Sequence, residues 1–221
     1  MGARITPETL DFLVENRMRN DRPWFNENKP RYKALVEGPL LALSEAVIPT
    51  LAGIDPMMVL EPRRTLSRIW RDTRFAKDKT LFRDVCWLAF KRGKGMAAPA
   101  FFFEMTPSGY RWGCGYYDTP PRVAEQLRAW IVQDDRRWLA ARDAFNAIPG
   151  RTLMGERYQR PKFTDLSEEK LLWLNQRSFV AGCENLPVAG LFSPGLADEL
   201  KAGFAALGPV YHFILAAHEN L

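Results

Sequence analysis

Apolar positions recur at three- and four-residue steps at both ends of the chain, and a two-residue alternation occupies the middle. Leu10, Leu13 and Val14 form the first helical stripe, running to about Met18. Thr6 suits its N-cap, Pro7 its first position and Glu8 its positive end. Asn20-Asp21-Arg22-Pro23 breaks this helix, and Trp24-Phe25 follows as an aromatic anchor for the loop. Asn28 can cap a second stripe of Tyr32, Leu35, Val36, Leu40, Leu43 and Val47, reaching about Leu51. Gly38-Pro39 lies inside it, and Pro39 removes one backbone donor, which predicts a kink or two short helices.

Past Gly53-Ile54-Asp55-Pro56 the pattern turns strand-like. Met57 to Leu60 is short and apolar, Thr65 to Thr73 alternates imperfectly, and Val85 to Phe90 alternates again. A strand over 65–73 is preferred to a helix, which would align Arg64, Arg68 and Arg71, because the flanks are strand-like and Asp72-Thr73 is a poor helix interior. Ala100 to Met105 and Tyr110 to Tyr116 flank the turn residues Thr106-Pro107-Ser108-Gly109, which predicts a hairpin with Tyr110, Trp112, Cys114 and Tyr116 on one face. Thr119-Pro120 opens a helix through Val123, Leu127, Trp130 and Ile131. Trp138, Leu139, Ala141 and Phe145 continue it beyond a bend at Asp134-Asp135. Short strands are expected over Thr152–Arg157 and Phe179–Cys183, with a helix from Ser167 between them. Final helices follow Ser193-Pro194, interrupted at Gly208-Pro209. Helices, then mostly antiparallel strands, then helices predict one α+β domain over residues 1–221, a curved antiparallel sheet with helices packed on it. Strict strand–helix alternation and a GxGxxG fingerprint are both missing, which argues against a doubly wound sheet.

Charge sharpens this picture at one place. Arg63 to Lys79 holds seven Lys or Arg and two Asp, a net of +5, equal to the net charge of the whole 221-residue chain. Outside the segment, 24 basic residues face 24 acidic ones. Leu66, Ile69, Trp70 and Phe75 interleave with the charges, so the segment reads as partly packed while presenting a positive face. Three widely spaced cysteines without a CxxC predict reduced, buried thiols in a cytoplasmic protein. A run of about 18 apolar residues and a secretory h-region are both missing, so no membrane association is expected. Met1-Gly2 with Thr6 fits the letters of a myristoylation signal, but Thr6-Pro7 is better explained as a helix start.

Several stretches stand in the order of a known family: Thr6-Pro7-Glu8 with Leu10 and Phe12-Leu13, Asn20-Asp21-Arg22-Pro23-Trp24-Phe25, and Asn28-Lys29 with Tyr32. Arg68-Ile69-Trp70-Arg71-Asp72-Thr73-Arg74-Phe75 with Lys77-Asp78-Lys79 follows, and Leu174 with Arg177-Ser178-Phe179 comes late. Together they resemble the bacterial and fungal proteins grouped as domain of unknown function 2461. Ala76 stands where that family tends to have Ser, and Leu81-Phe82-Arg83 where it tends to have Pro-Tyr-Lys. The resemblance implies one compact α+β domain and no particular activity.

Familiar chemistry finds little footing. His212 and His218 are six apart, and one helical ion site needs a spacing of four, so neither metal nor cofactor is expected. There is no GxSxG, and no thiol has an obvious histidine nearby. Arg92-Gly93-Lys94-Gly95 is a basic turn without a phosphate-loop pattern. What remains is Arg64, Arg68, Arg71, Asp72, Arg74, Lys77 and Lys79, with Trp24, Trp70 and Phe75 as candidate walls and Tyr32 as a candidate proton carrier. Guanidinium forks grip phosphate or carboxylate bidentately, so the best expectation is a small anionic ligand, with Asp72 orienting one fork. Nucleic acid is a less favoured partner, because the basic residues are confined to one segment. An enzyme with Asp72 or Tyr32 moving a proton stays open, as does a structural ion-pair network in an interaction domain.

Overall fold

A computed structural model describes residues 4–93 and 98–220 of the chain. The Met1-Gly2 letters and the Lys94-Gly95 half of the basic turn lie outside the described residues. The centre is a five-stranded antiparallel sheet in the order β1-β2-β3-β5-β4. Its strands are β1 (Cys86–Lys91), β2 (Ala100–Thr106), β3 (Gly109–Gly115), β4 (Arg151–Leu153) and β5 (Val180–Pro187). The expected hairpin is β2–β3, with Met105 opposite Tyr110 and Phe103 opposite Trp112. Tyr110, Trp112, Cys114 and Tyr116 do share one buried face. Cys86, Leu88 and Phe90 of β1 and Phe101, Phe103 and Met105 of β2 extend that face.

Helices cover it from both ends of the chain. The first group is α1 (Pro7–Arg19), α2 (Arg22–Glu27), α3 (Lys29–Tyr32), α4 (Gly38–Ile54) and the short α5 (Pro62–Thr65). The second is α6 (Pro121–Val132), α7 (Arg136–Asn146), α8 (Glu168–Leu174), α9 (Leu196–Ala206) and α10 (Gly208–Glu219). α4 packs on α9 and β1, α9 and α10 pack on β3, and α6 and α7 pack on the far side of α10. One apolar cluster runs without interruption from Ile5 to Ala217, as the α+β expectation requires.

Of the kink or two short helices expected at Pro39, the two separate helices do not occur. Lys29 to Ile54 stays helical, and Lys33–Glu37 widens into a π-turn closed by the Gly38 N–H donating to the Lys33 carbonyl. Pro39 has no N–H to offer the Leu35 carbonyl four residues earlier. The Thr9 hydroxyl of α1 donates to that carbonyl instead, at 2.7 Å. By length and composition this helix could cross a membrane, yet it buries Val36, Leu40, Leu43, Val47 and Leu51 in the core. The expected interruption at Gly208 appears as a 50° bend between α9 and α10. The bend at Asp134-Asp135 is a true break: Asp134 takes φ 53°, and the Asp135 carboxylate caps α7 by accepting from the Arg137 N–H at 2.8 Å.

Three expected strands shrink. Met57–Leu60 keeps one bridge, from Met58 to Arg92. Thr152–Arg157 keeps β4 and a bridge from Arg157 to Gln176. Thr65–Thr73 begins as the last residue of α5 and continues as extended chain. It lies beside residues 81–88 through the bridges Leu66–Leu88 and Trp70–Phe82 only. Its backbone bonds are sparse: Ser67 N–H to the Trp87 carbonyl, Arg71 N–H to that of Leu81, and Arg83 N–H to that of Ile69. Ser67 and Ile69 are buried while Arg68 between them is exposed.

Candidate functional site

The basic segment is anchored by its aromatics and by the end of α1. The Trp70 ring packs on Phe82 at 4.4 Å and edge-on against Phe25 at 5.3 Å, and Phe25 packs on Tyr32 at 5.5 Å. Trp24 stacks on Phe12 at 5.8 Å. Trp70 and Trp24 are therefore packing residues that carry arginines on their outer faces: Arg22 lies over Trp70 at 5.7 Å and Arg19 over Trp24 at 5.8 Å. Asn20 ends α1 in the left-handed conformation, and its side-chain oxygen accepts from the Leu81 N–H at 2.6 Å. Arg17 reaches from the same helix end to Asp78 at 3.4 Å and Asp84 at 3.3 Å. These ties hold the loop between Asp72 and Arg83 against the N-terminal helices.

Four of the seven cations have acidic partners. Arg63 meets Glu37 at 3.2 Å and Arg64 meets Glu61 at 3.7 Å, so two carboxylates are recruited from outside the segment. Arg71 is the inner pin, its side chain 22% exposed, donating to both Asp78 and the Thr80 hydroxyl. Arg74 forks onto Asp72, with Nε to Oδ1 at 3.0 Å and a terminal nitrogen to Oδ2 at 2.7 Å. Asp72 thus orients a guanidinium as expected, and the guanidinium is that of Arg74. Lys79 donates to the Thr73 carbonyl at 2.9 Å, which leaves its charge unbalanced. Arg68 and Lys77 are exposed and have no hydrogen bond or ion pair among the described residues.

Electrostatics remove two proton carriers. The hydrogen bond from Arg74 holds the Asp72 carboxyl down at about 2, so it stays ionised near neutrality. Burial, with Cys86 and Glu37 nearby, pushes the Tyr32 phenol well above its ordinary range. Burial also raises the Cys86 thiol to about 12, and Cys114 and Cys183 are raised for the same reason, so the buried thiols carry no thiolate. Among the described residues, no three His, Cys, Asp or Glu side chains gather as metal donors would.

The segment therefore splits into an inner layer and an outer one. Arg71, Trp70, Tyr32 and Trp24 are all half-buried, and Arg68, Arg74, Lys77 and Lys79 face solvent. Phe75 joins the outer layer at 96% exposure. A family model described as "Conserved hypothetical protein (DUF2461)" matches residues 8–213. The chain belongs to the DUF2461 family. That description names no ligand or reaction, and no curated protein matches the chain.

Two surface cavities of the DUF2461 chain lie away from this segment. One, of about 530 Å³, lies along the outer face of α1 between Asp11, Val14, Glu15, Met18 and Arg19. The other, of about 360 Å³, lies between α9, the Ala147–Pro149 turn and the β3–β5 pair. Neither is lined by a residue of 63–79. Sequence reasoning missed Glu199 in the second cavity, because its partners Tyr110 and Trp112 lie almost ninety residues earlier.

Proposed function

We propose that this protein binds a phosphate- or carboxylate-bearing anion on the open basic face of residues 63–79, and that it works in the cytoplasm. The observation that carries this reading is the outer layer itself. Among the described residues Arg68, Lys77 and Lys79 have no carboxylate partner, and Phe75, next to Arg74 in the chain, is almost fully exposed. A structural network would neutralise its cations and bury its aromatic ring, as Arg71 and Trp70 do in the inner layer. Cys86, Cys114 and Cys183, buried and free as thiols, suit a reducing compartment.

Openness bears on the ligand. Exposed Arg68, Arg74, Lys77 and Lys79 favour a molecule laid across them, and the exposed Phe75 ring offers a stacking surface to a base. That gives single-stranded nucleic acid a specific observation of its own. A thermal-shift screen against inorganic phosphate, nucleotides, sugar phosphates, short DNA and short RNA separates the readings, since binding to the native state raises the midpoint by mass action. A small phosphate whose effect survives salt defines a small-molecule site. A response confined to oligonucleotides that falls steeply with salt defines a backbone-binding face. No shift with any of them overturns the proposal and leaves the segment as a scaffold.

A further inference from the structure

The second cavity holds a carboxylate that the fold leaves without a counter-charge. Glu199 stands on α9 and accepts the Tyr110 hydroxyl at 2.9 Å and the Trp112 indole N–H at 3.0 Å. Both donors are neutral, and no Lys or Arg pairs with Glu199 among the described residues. Three other acids out of full solvent contact each have an arginine: buried Asp55 has Arg92, and half-buried Asp135 and Glu104 have Arg137 and Arg111. Two neutral donors orient the carboxylate and occupy part of its acceptor capacity, which is about four lone-pair sites. Glu199 itself lines the cavity, so the remainder is available to a ligand there.

The rest of that lining is apolar. Trp112, Ile148, Pro149, Leu186 and Ala202 share the lining with the carboxylate, and the Cys183 thiol is held protonated by burial. The space of about 360 Å³ falls at the lower end of the roughly 300–1,000 Å³ usual for ligand clefts. An anion in such surroundings is costly unless paired. The complementary ligand has a positive charge at one end and a short apolar body.

We propose that this groove binds a free alkylammonium or arylammonium compound, with the Glu199 carboxylate as counter-ion and Trp112 as part of its wall. The basic face plays no part in this, so the two proposals fail or stand separately. The test is isothermal titration of the intact protein with hexylammonium, hexanol and hexanoate, three ligands of one length that differ in charge. Hexylammonium should bind at least tenfold more tightly than the other two. Glu199→Gln, which keeps the shape and an oxygen acceptor, should lose at least tenfold for the amine and leave hexanol unchanged. Ala202→Leu, an exposed helical position at the groove, should weaken all three without altering the unfolding transition. Equal binding of hexylammonium and hexanol, retention of amine binding in Glu199→Gln, or no amine binding by the folded wild-type chain would each overturn the assignment.

Discussion

Thr9 does two jobs with one hydroxyl, and residue-scale energetics rest on such arrangements. It accepts from the Thr6 N–H at 3.1 Å to close the start of α1, and it donates to the Leu35 carbonyl that Pro39 leaves unserved. Thr9→Val should therefore cost about 1–3 kcal/mol, the usual cost of an orphaned buried polar group. The cost should shrink in a Pro39→Ala background, where residue 39 regains an N–H for that carbonyl. A urea-melt double-mutant cycle measures the coupling. Asp55 is a second such point. It is 2% exposed, pairs with Arg92 at 2.7 Å, and accepts from Tyr211 at 2.5 Å and from the Met57 N–H at 3.0 Å. Burial works to raise its pKa, but those three hydrogen bonds together hold it below the ordinary aspartate range. Its contribution is thus present above the unfolded value of about 3.9 and lost as pH falls through the lower folded value. Asp55→Asn should destabilise by about 3–5 kcal/mol at neutral pH by leaving Arg92 without its buried partner. It should also flatten the acid limb of stability below about pH 4 in denaturant melts.

Among the elements, the β2–β3 hairpin was legible because its turn residues and its two-residue alternation agree. The Pro39 helix was not, since the hydroxyl that rescues it comes from 26 residues away. Residues 65–73 misled for a related reason. Their alternation is that of an extended chain, but Pro62 starts a helical turn and pairing with 81–88 is confined to two bridges. α9 offers a test of packing against propensity. At Gly203 an added Cβ would overlap the Trp112 ring, which lies flush on the helix. Intrinsic preference says Gly203→Ala should stabilise a helix interior by about 1 kcal/mol. Overpacking, typically about 1–3 kcal/mol, should win instead, and chemical denaturation of the variant should show a net loss. A net gain would mean that Trp112 moves freely, and the walls of the Glu199 groove would not be preorganised.

For the whole molecule, the sequence located the charged segment but could not sort it into layers. Seven cations against two local carboxylates looked unneutralised. Glu37, which ends the π-turn before α4, and Glu61, just before α5, pair with two of them. Trp70 read as a ligand wall, yet its ring is spent on Phe25 and Phe82. Arg68 and Arg71 looked equivalent, and folding separates them: Arg71 pins the loop through Asp78 and Thr80, and Arg68 is left to solvent. Anion binding by the outer layer is the property to measure. Its most direct test is fluorescence anisotropy of a labelled phosphate-bearing ligand from the screen, titrated with wild-type chain and with Arg68→Ala/Lys77→Ala. The double variant should unfold at the same denaturant midpoint as wild type and lose at least tenfold in affinity, since both side chains are exposed and without a partner among the described residues. Undiminished affinity in a folded double variant would contradict the account.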